Sequence, residues 1–364
     1  MKLVSNIRDW YGRHERPISS LSLILGFVFD AVALKRVDQF WENIWVLGHL
    51  VLVALCMILI HKVRSESGDE ANPHKAHFWL VNVLQFVFGG LLSVFLVFYF
   101  RSSDIATSWP FLFILALAFM ANERLKRRFV RVTFQVSLLF LSVFLSSIFM
   151  VPIVIHDIGP GPFILSGVVS LFAMYGFLAA LAKVNKSKFE ESKRGIIVSI
   201  GCIFIGMNLL YFTNIIPPIP LSLKDSGIYH LIEKYGENDY KARYEEVGWR
   251  KYVTLHEDFH AASGDDTVYA YSAVFSPASL NTTVVHEWQY FDDKNNAWID
   301  FSSVRLSVLG GRDAGFRTFS NQVSLPAGKW RVNVLTESGQ VIGRLRFTIV
   351  PVTTRPTLST KVLQ

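Results

Sequence analysis

Seven stretches of the chain are apolar almost without interruption, near residues 18–35, 43–61, 78–100, 107–121, 134–156, 162–182 and 195–217. A helix needs roughly 20 such residues to cross about 30 Å of hydrocarbon. The pattern therefore predicts seven transmembrane helices, the fourth of them the shortest. The last run ends in NIIPPIPLSL, where Pro217, Pro218 and Pro220 stop the helix and predict a rigid, extended exit.

From Ile228 the hydrophobic period changes to two. IYHLIEKYG and DYKARYEEV read as a hairpin turning around residues 236–238. Clearer alternation follows in TVYAYSAVF (267–275), TVVHEWQYF (283–291), AWIDFSSVRLSV (297–308), GFRTFSNQV (315–323), KWRVNVLT (329–336) and QVIGRLRFTIV (340–350), with Pro, Gly, Asp and Asn turns between them. Six or seven short strands at this spacing predict an all-β, immunoglobulin-like sandwich, with a barrel as the alternative. Trp288, Trp298 and Trp330 fall in or beside strands, and at least two of them should pack between the sheets. The expected organisation is a cytoplasmic segment at 1–17, an α-helical transmembrane bundle at 18–217, a proline-rich exit at 218–227, an extracytoplasmic β domain at 228–351 and a flexible tail at 352–364.

Composition sharpens this division. Hydrophobic residues make up 51% of the 364, with 30 Phe among them, more than a soluble domain carries. The formal charge of +7 belongs wholly to the membrane part: residues 1–219 hold 20 Lys or Arg against 13 Asp or Glu, and the rest hold 16 of each. With the N-terminus inside, the cytoplasmic segments carry 17 basic residues and the short outer loops only Lys35, Arg36 and Arg101. Cytoplasmic loops collect Lys and Arg, so the bias predicts an N-in membrane protein, and seven crossings put the β domain outside the cytoplasm. Topology also explains the basic balance without any nucleic-acid partner; the expected partners are the bilayer and an envelope component. The charged start lacks a small-residue cleavage site, so the first run reads as an uncleaved signal anchor. Cys56 and Cys202 both lie in apolar segments, leaving the β domain without a disulfide framework.

Polar residues within the spans are few, and in hydrocarbon each needs a partner. Asp30 lies shortly before Lys35 and Arg36, so a charge pair or an interfacial cap is the plain expectation and a proton- or ligand-linked site the functional one. Asn82 and Gln85 are three apart and share a helix face. With His49, Gln135, Tyr175 and Asn208 they are expected to make interhelical hydrogen bonds.

Two tail motifs carry candidate chemistry. His256, Glu257 and His260 spell HEDFH; on a helix both histidines would ligate zinc with Glu257 as general base. The flanking WRKYVTL alternates like a strand and AASGDD follows at once, so a turn or strand edge is expected and no cofactor is favoured, zinc being the alternative. LGGRDAGFRTFS has glycines suited to turns and close backbone approach. Its Arg312 and Arg317, with Asp313, could grip a carboxylate or phosphate, with His286 and Trp288 as neighbours; an internal Arg–Asp bridge is the plain reading.

SPASLNTTVVHEWQYFD, GGRDAGFRTFS and PAGKWRVNVLTESGQVIGRLRFTI in the tail, with LILGFVFDAVALKRVD, the NER at 122–124 and NLLYFTNIIPPIPLSLKDSGIYH in the membrane part, resemble bacterial membrane proteins of the domain of unknown function 2914 family. The resemblance implies an envelope protein with a β-rich terminal module and brings no catalytic residues. Similar proteins tend to have Gly at the position of Ala314 and Tyr at those of Phe316 and Phe319, and HEDFH is not part of their pattern. The function expected is non-catalytic recognition of a glycan, lipid head group or protein by the β domain. The alternatives are a membrane enzyme acting on a lipid-linked or peptide substrate, and a small transporter or assembly scaffold.

Overall fold

The computed structural model describes residues 24–34, 39–66, 77–124, 131–235, 239–246, 257–262, 266–277 and 280–363. The chain divides into two compact units. One comprises Met1–Arg101, Trp109–Val151 and Pro162–Ile215; the other comprises Ser102–Ser108, Pro152–Gly161 and Ile216–Gln364.

The first unit is helical: α1 (Ile24–Ala33), α2 (Phe40–Glu66), α3 (His77–Arg101), α4 (Ile105–Arg124), α5 (Val132–Ile155), α6 (Pro160–Val184) and α7 (Lys186–Phe212). Each covers an apolar run read from the sequence. Among the described residues, five are long and apolar enough to cross a membrane, while α1 and the apolar part of α4 are shorter. Phe88, Phe95, Phe98, Phe140, Phe144 and Phe149 are buried, whereas Phe86, Phe113, Phe172 and Tyr175 are exposed. Large apolar side chains inside and out are what a lipid-solvated bundle requires.

Its polar side chains join helices, as hydrocarbon demands. Gln85 Nε2 donates to the Asn122 carbonyl and Asn122 Nδ2 to the Gln85 carbonyl, each at 3.1 Å, tying α3 to α4. His61 and Gln135 meet at 3.1 Å between α2 and α5. Ser93 of α3 donates to the Asp30 carboxylate at 2.5 Å, while Arg101 donates to the carbonyls of Ala31, at 2.5 Å, and Leu34. Asp30 thus faces protein; Lys35 and Arg36, its expected partners, lie outside the described residues. Asn208 departs from expectation by bonding within α7, to the Phe204 carbonyl at 2.8 Å. Asn82 is half-buried on α3.

The second unit carries eleven strands: β1 (Ser222–Tyr229), β2 (Leu231–Tyr235), β3 (Asp239–Glu245), β4 (Glu257–Ala261), β5 (Thr267–Phe275), β6 (Thr282–Asp292), β7 (Ala297–Val308), β8 (Phe316–Val323), β9 (Gly328–Thr336), β10 (Val341–Pro351) and β11 (Leu358–Leu363). Every strand expected from alternation is present. β1 starts inside the segment expected as an extended exit. β11 replaces the expected flexible tail, because residues 358–363 pair antiparallel with β3 and bury Leu363.

The sheets run β1-β5-β8, β4-β10-β9-β6-β7 and β11-β3-β2. Side chains on a strand alternate between faces, so the first sheet is covered twice. Ile228, Val268, Ala270 and Val274 join Val284, Trp288, Trp330, Val332, Val334 and Phe347 of the five-stranded sheet in the main core. From the opposite face of the same strands, Tyr229, Tyr271 and Ala273 join Ile232, Ala242 and Leu363 in a tyrosine-rich second core. Trp288 and Trp330 are both fully buried, as the sequence suggested.

Candidate functional site

The outward face of the five-stranded sheet is dictated by the same alternation. In β9, Trp330, Val332 and Val334 enter the core, which turns Lys329, Arg331 and Asn333 outward; in β10, Leu345 and Phe347 enter, which turns Arg344 and Arg346 outward. Register then builds rows across the strands. Arg344 lies beside Asn333, Asn333 beside Glu287 and Glu287 beside Ser303. In the next row Arg346 lies beside Arg331, Arg331 beside Gln289 and Gln289 beside Asp300.

The acids of this face bind amides rather than guanidinium groups. Asn333 Nδ2 donates to Glu287 Oε2 at 2.7 Å, and Gln289 Nε2 donates to Asp300 Oδ1 at 2.5 Å. The amide oxygens then receive the arginines: Arg331 Nε donates to Gln289 Oε1 at 2.5 Å and Arg344 Nε to Asn333 Oδ1 at 2.6 Å. Arg346 makes no hydrogen bond or ion pair among the described residues. Arg331 also lies over the Trp298 ring at 4.2 Å, and Lys329 over Phe291 at 5.3 Å. Burial, followed by repulsion from Arg344 and Arg346, pulls the Arg331 guanidinium down to about 10. Glu287 and Asp300 act the other way on Arg331, as Asp104 and Glu287 do on Arg344, so the crowded positive charge is offset only in part and a bound anion would relieve the remainder.

The loop singled out by its glycines has a different structure. A Cβ on Gly310 would lie 1.8 Å from the Pro277 carbonyl oxygen, and Gly315 takes φ +87° against Ala273. These glycines let the β7–β8 turn press on the 273–280 backbone. Arg312 is exposed at the turn and sits 5.2 Å over Phe316, whereas Arg317 pairs with Asp239 of β3 at 2.9 Å. Asp313 is exposed beside Arg312. Arg317 thus forms an Arg–Asp bridge, with Asp239 of β3.

His286 and Trp288 do meet, inside the core. Trp288 Nε1 donates to Ser320 Oγ at 3.0 Å, Ser320 Oγ lies 2.9 Å from His286 Nδ1, and His286 Nε2 lies 2.8 Å from Ser272 Oγ. Ser272 Oγ is in turn 3.0 Å from Thr318 Oγ1. With both His286 and Trp288 fully buried, this chain satisfies polar atoms between the sheets and offers nothing to an outside ligand. Burial pulls the imidazole down to about 4.

In HEDFH, residues 257–261 are strand β4, parallel to β10, so no helical turn aligns the motif; His256 lies outside the described residues. Phe259 enters the main core. The His260 ring meets Glu245 Oε2, while Glu245 Oε1 accepts from the His260 backbone N–H at 2.8 Å and lies 2.7 Å from His230 Nε2. Burial acts to raise Glu245, but these hydrogen bonds outweigh it and hold the group below the usual carboxylate range. A cavity of about 40 Å³ lies beside them, lined by Tyr229, His230, Tyr244, Glu245, Glu257 and Phe259 among others. Its size suits a few waters rather than an organic ligand. Among the described residues no group of three or more His, Cys, Asp or Glu is arranged to hold a metal ion.

The arginine face was missed in the sequence although its signal is there. KWRVNV and GRLRF place basic residues two apart on strands whose intervening positions are apolar. Read as alternation, they put Lys329, Arg331, Arg344 and Arg346 on one face.

Residues 281–349, which span β6 to β10 and include this face, match the family model described as Protein of unknown function (DUF2914). No curated protein matches the chain. Among solved structures, the Pseudomonas fluorescens alkylpurine DNA glycosylase AlkC bound to DNA containing an abasic site analog is matched at 11% identity over 86% of this chain and 99% of that chain. Its TM-score of 0.21 carries no argument. The chain thus joins multi-pass N-terminal membrane helices to a C-terminal DUF2914 domain.

Proposed function

We propose that the β domain is a non-catalytic recognition module, held outside the cytoplasm by the helical region, and that it binds anionic groups through Arg331, Arg344 and Arg346. The supporting observation is that these three guanidinium groups share one sheet face while its carboxylates, Glu287 and Asp300, are engaged by amides. Guanidinium groups suit carboxylate or phosphate because their N–H donors form a rigid fork. We place recognition on this face rather than at Arg312, Asp313 and Arg317 because three arginines of two paired strands share it.

The strand order supports an immunoglobulin-like reading of the module. One sheet of first, B- and E-type strands faces a second in which β4 runs parallel to the G-type β10, followed by F-, C- and C′-type strands. The β2-β3-β11 layer is then an addition to that plan. The N-in orientation rests on the basic residues of alternate loops. It gains support from the grouping of Ser102–Ser108, Pro152–Gly161 and Ile216–Gln364, since the predicted topology puts all three on one side of the bilayer.

Retention of the full-length protein, in neutral detergent, on an immobilised polyphosphate matrix tests the proposal. Arg331→Gln/Arg344→Gln/Arg346→Gln should elute at clearly lower salt than the wild type while keeping its thermal unfolding midpoint. Elution of a folded triple variant at the wild-type salt concentration would refute the assignment.

A further inference from the structure

Resting on that reading, we infer that the anion received by this face is the phosphate of an anionic phospholipid head group in the leaflet where the domain is tethered. Three observations select this partner. The first is the arrangement of charge. Arg331 and Arg346 are direct cross-strand partners in the β9–β10 ladder, and Arg344 is two residues from Arg346 on the same face. Like charges placed opposite each other across a ladder destabilise it. Arg331 reaches from β9 toward β6 and β7, where it donates to Gln289 and lies over Trp298, while Arg346 stands on β10, so the charge is spread across neighbouring strands as a row of head-group phosphates would meet it. Lys329 and Arg305 extend the same outward surface, where five basic side chains meet the acids Glu287, Asp300 and Asp258, with Asp104 acting on Arg344 from just before α4.

The second observation is shape. The cavity beside Glu245 lies elsewhere in the unit and measures only about 40 Å³. Small organic ligands are enclosed in pockets of roughly 300–1,000 Å³. A pleated sheet face with charge spread over neighbouring strands instead matches an anionic surface. The Trp298 ring, which would otherwise offer a platform to a neutral sugar, is already covered by Arg331 at 4.2 Å.

The third is reach. Helix α7 ends at Phe212 and β1 begins at Ser222, so nine residues connect them. Fully extended, such a segment spans at most about 32 Å. The start of the domain is therefore held close to that leaflet, and a short tether turns even weak contacts with its head groups into an intramolecular equilibrium. Phosphates arriving from solution have no such advantage.

The test uses full-length protein in nanodiscs, with hydrogen–deuterium exchange followed over residues 329–346. Adding phosphatidylglycerol to phosphatidylcholine discs should slow exchange there about tenfold, the factor expected when lipid exceeds its dissociation constant tenfold. In Arg331→Gln/Arg346→Gln discs that slowing should vanish, while protection of β5 shows that the variant is folded. Arg331→Lys/Arg346→Lys, which keeps charge but loses the fork, should recover only part of it. Protection by soluble polyphosphate without any by phosphatidylglycerol would overturn the lipid assignment and leave the anion-binding face standing. Equal protection by glycerol phosphate at matched concentration would likewise overturn the lipid as source. Protection by none of these probes would overturn both.

Discussion

His286 shows how much one side chain's setting decides. An indole N–H can only donate, so Ser320 Oγ accepts from Trp288 and its own proton is directed to His286 Nδ1. The imidazole then carries its proton on Nε2 and gives it to Ser272. Protonation would place a second donor opposite a hydroxyl already committed, in a site closed to water. With the folded value near 4 and the free value near 6.5, the unfolded chain binds more protons between these limits. The β domain should hold its stability above pH 6.5 and lose about 3 kcal/mol as pH falls to 4. Below the usual carboxylate value Glu245 adds to the loss, because its lowered folded value makes protonation favour unfolding. Thermal unfolding of the full-length protein against pH should show this slope, and His286→Gln should flatten it between pH 6.5 and 4. This burial was legible: in TVVHEWQYF, His286 shares the parity of Val284 and Trp288. The pairing of Glu245 with His230 and His260 was not, since it joins residues of β3, the β1–β2 bend and β4 that no local pattern connects.

Among the elements, those that alternate strongly were readable almost to the residue, and β5 and β7 match the expected ranges. Those held by partners were not. β4 carries an HExxH string, yet it forms a strand because Phe259 fills the main core and the backbone pairs with β10. β11 has a weak pattern in LSTKVL and depends on β3 for its backbone partners and on the tyrosine cluster for Leu363. Truncation after Thr357 should therefore destabilise the β domain by roughly 2–3 kcal/mol, the burial of one Leu being worth most of it. It should also speed amide exchange in β3 while leaving β9 unaffected. Unchanged exchange in β3 would show that β11 contributes no pairing in solution. The glycines of LGGRDAGF are legible as devices for turning and close approach, whereas the two-residue rhythm of basic residues in β9 and β10 marks a face only once register is known.

For the molecule as a whole, the division into apolar helices and a β-rich module follows from hydropathy and period alone. The side on which each segment lies depends on charge in the loops. Single cysteines placed at Ser103, His156 and Ser359, in a background lacking Cys56 and Cys202, should react with an impermeant maleimide added to intact cells. One at Ser187, between α6 and α7, should not. The opposite pattern would invert the topology and put the β domain in the cytoplasm. What hydropathy could not convey is which surface of the module is used, because Arg312 and Arg346 look alike until register assigns them neighbours. Isothermal titration of the full-length protein with polyphosphate decides between them. Arg346→Gln should weaken binding about tenfold or more, equivalent to about 1.4 kcal/mol, with Arg312→Gln close to the wild type. Loss with Arg312→Gln and none with Arg346→Gln would contradict the arginine face as the recognition surface.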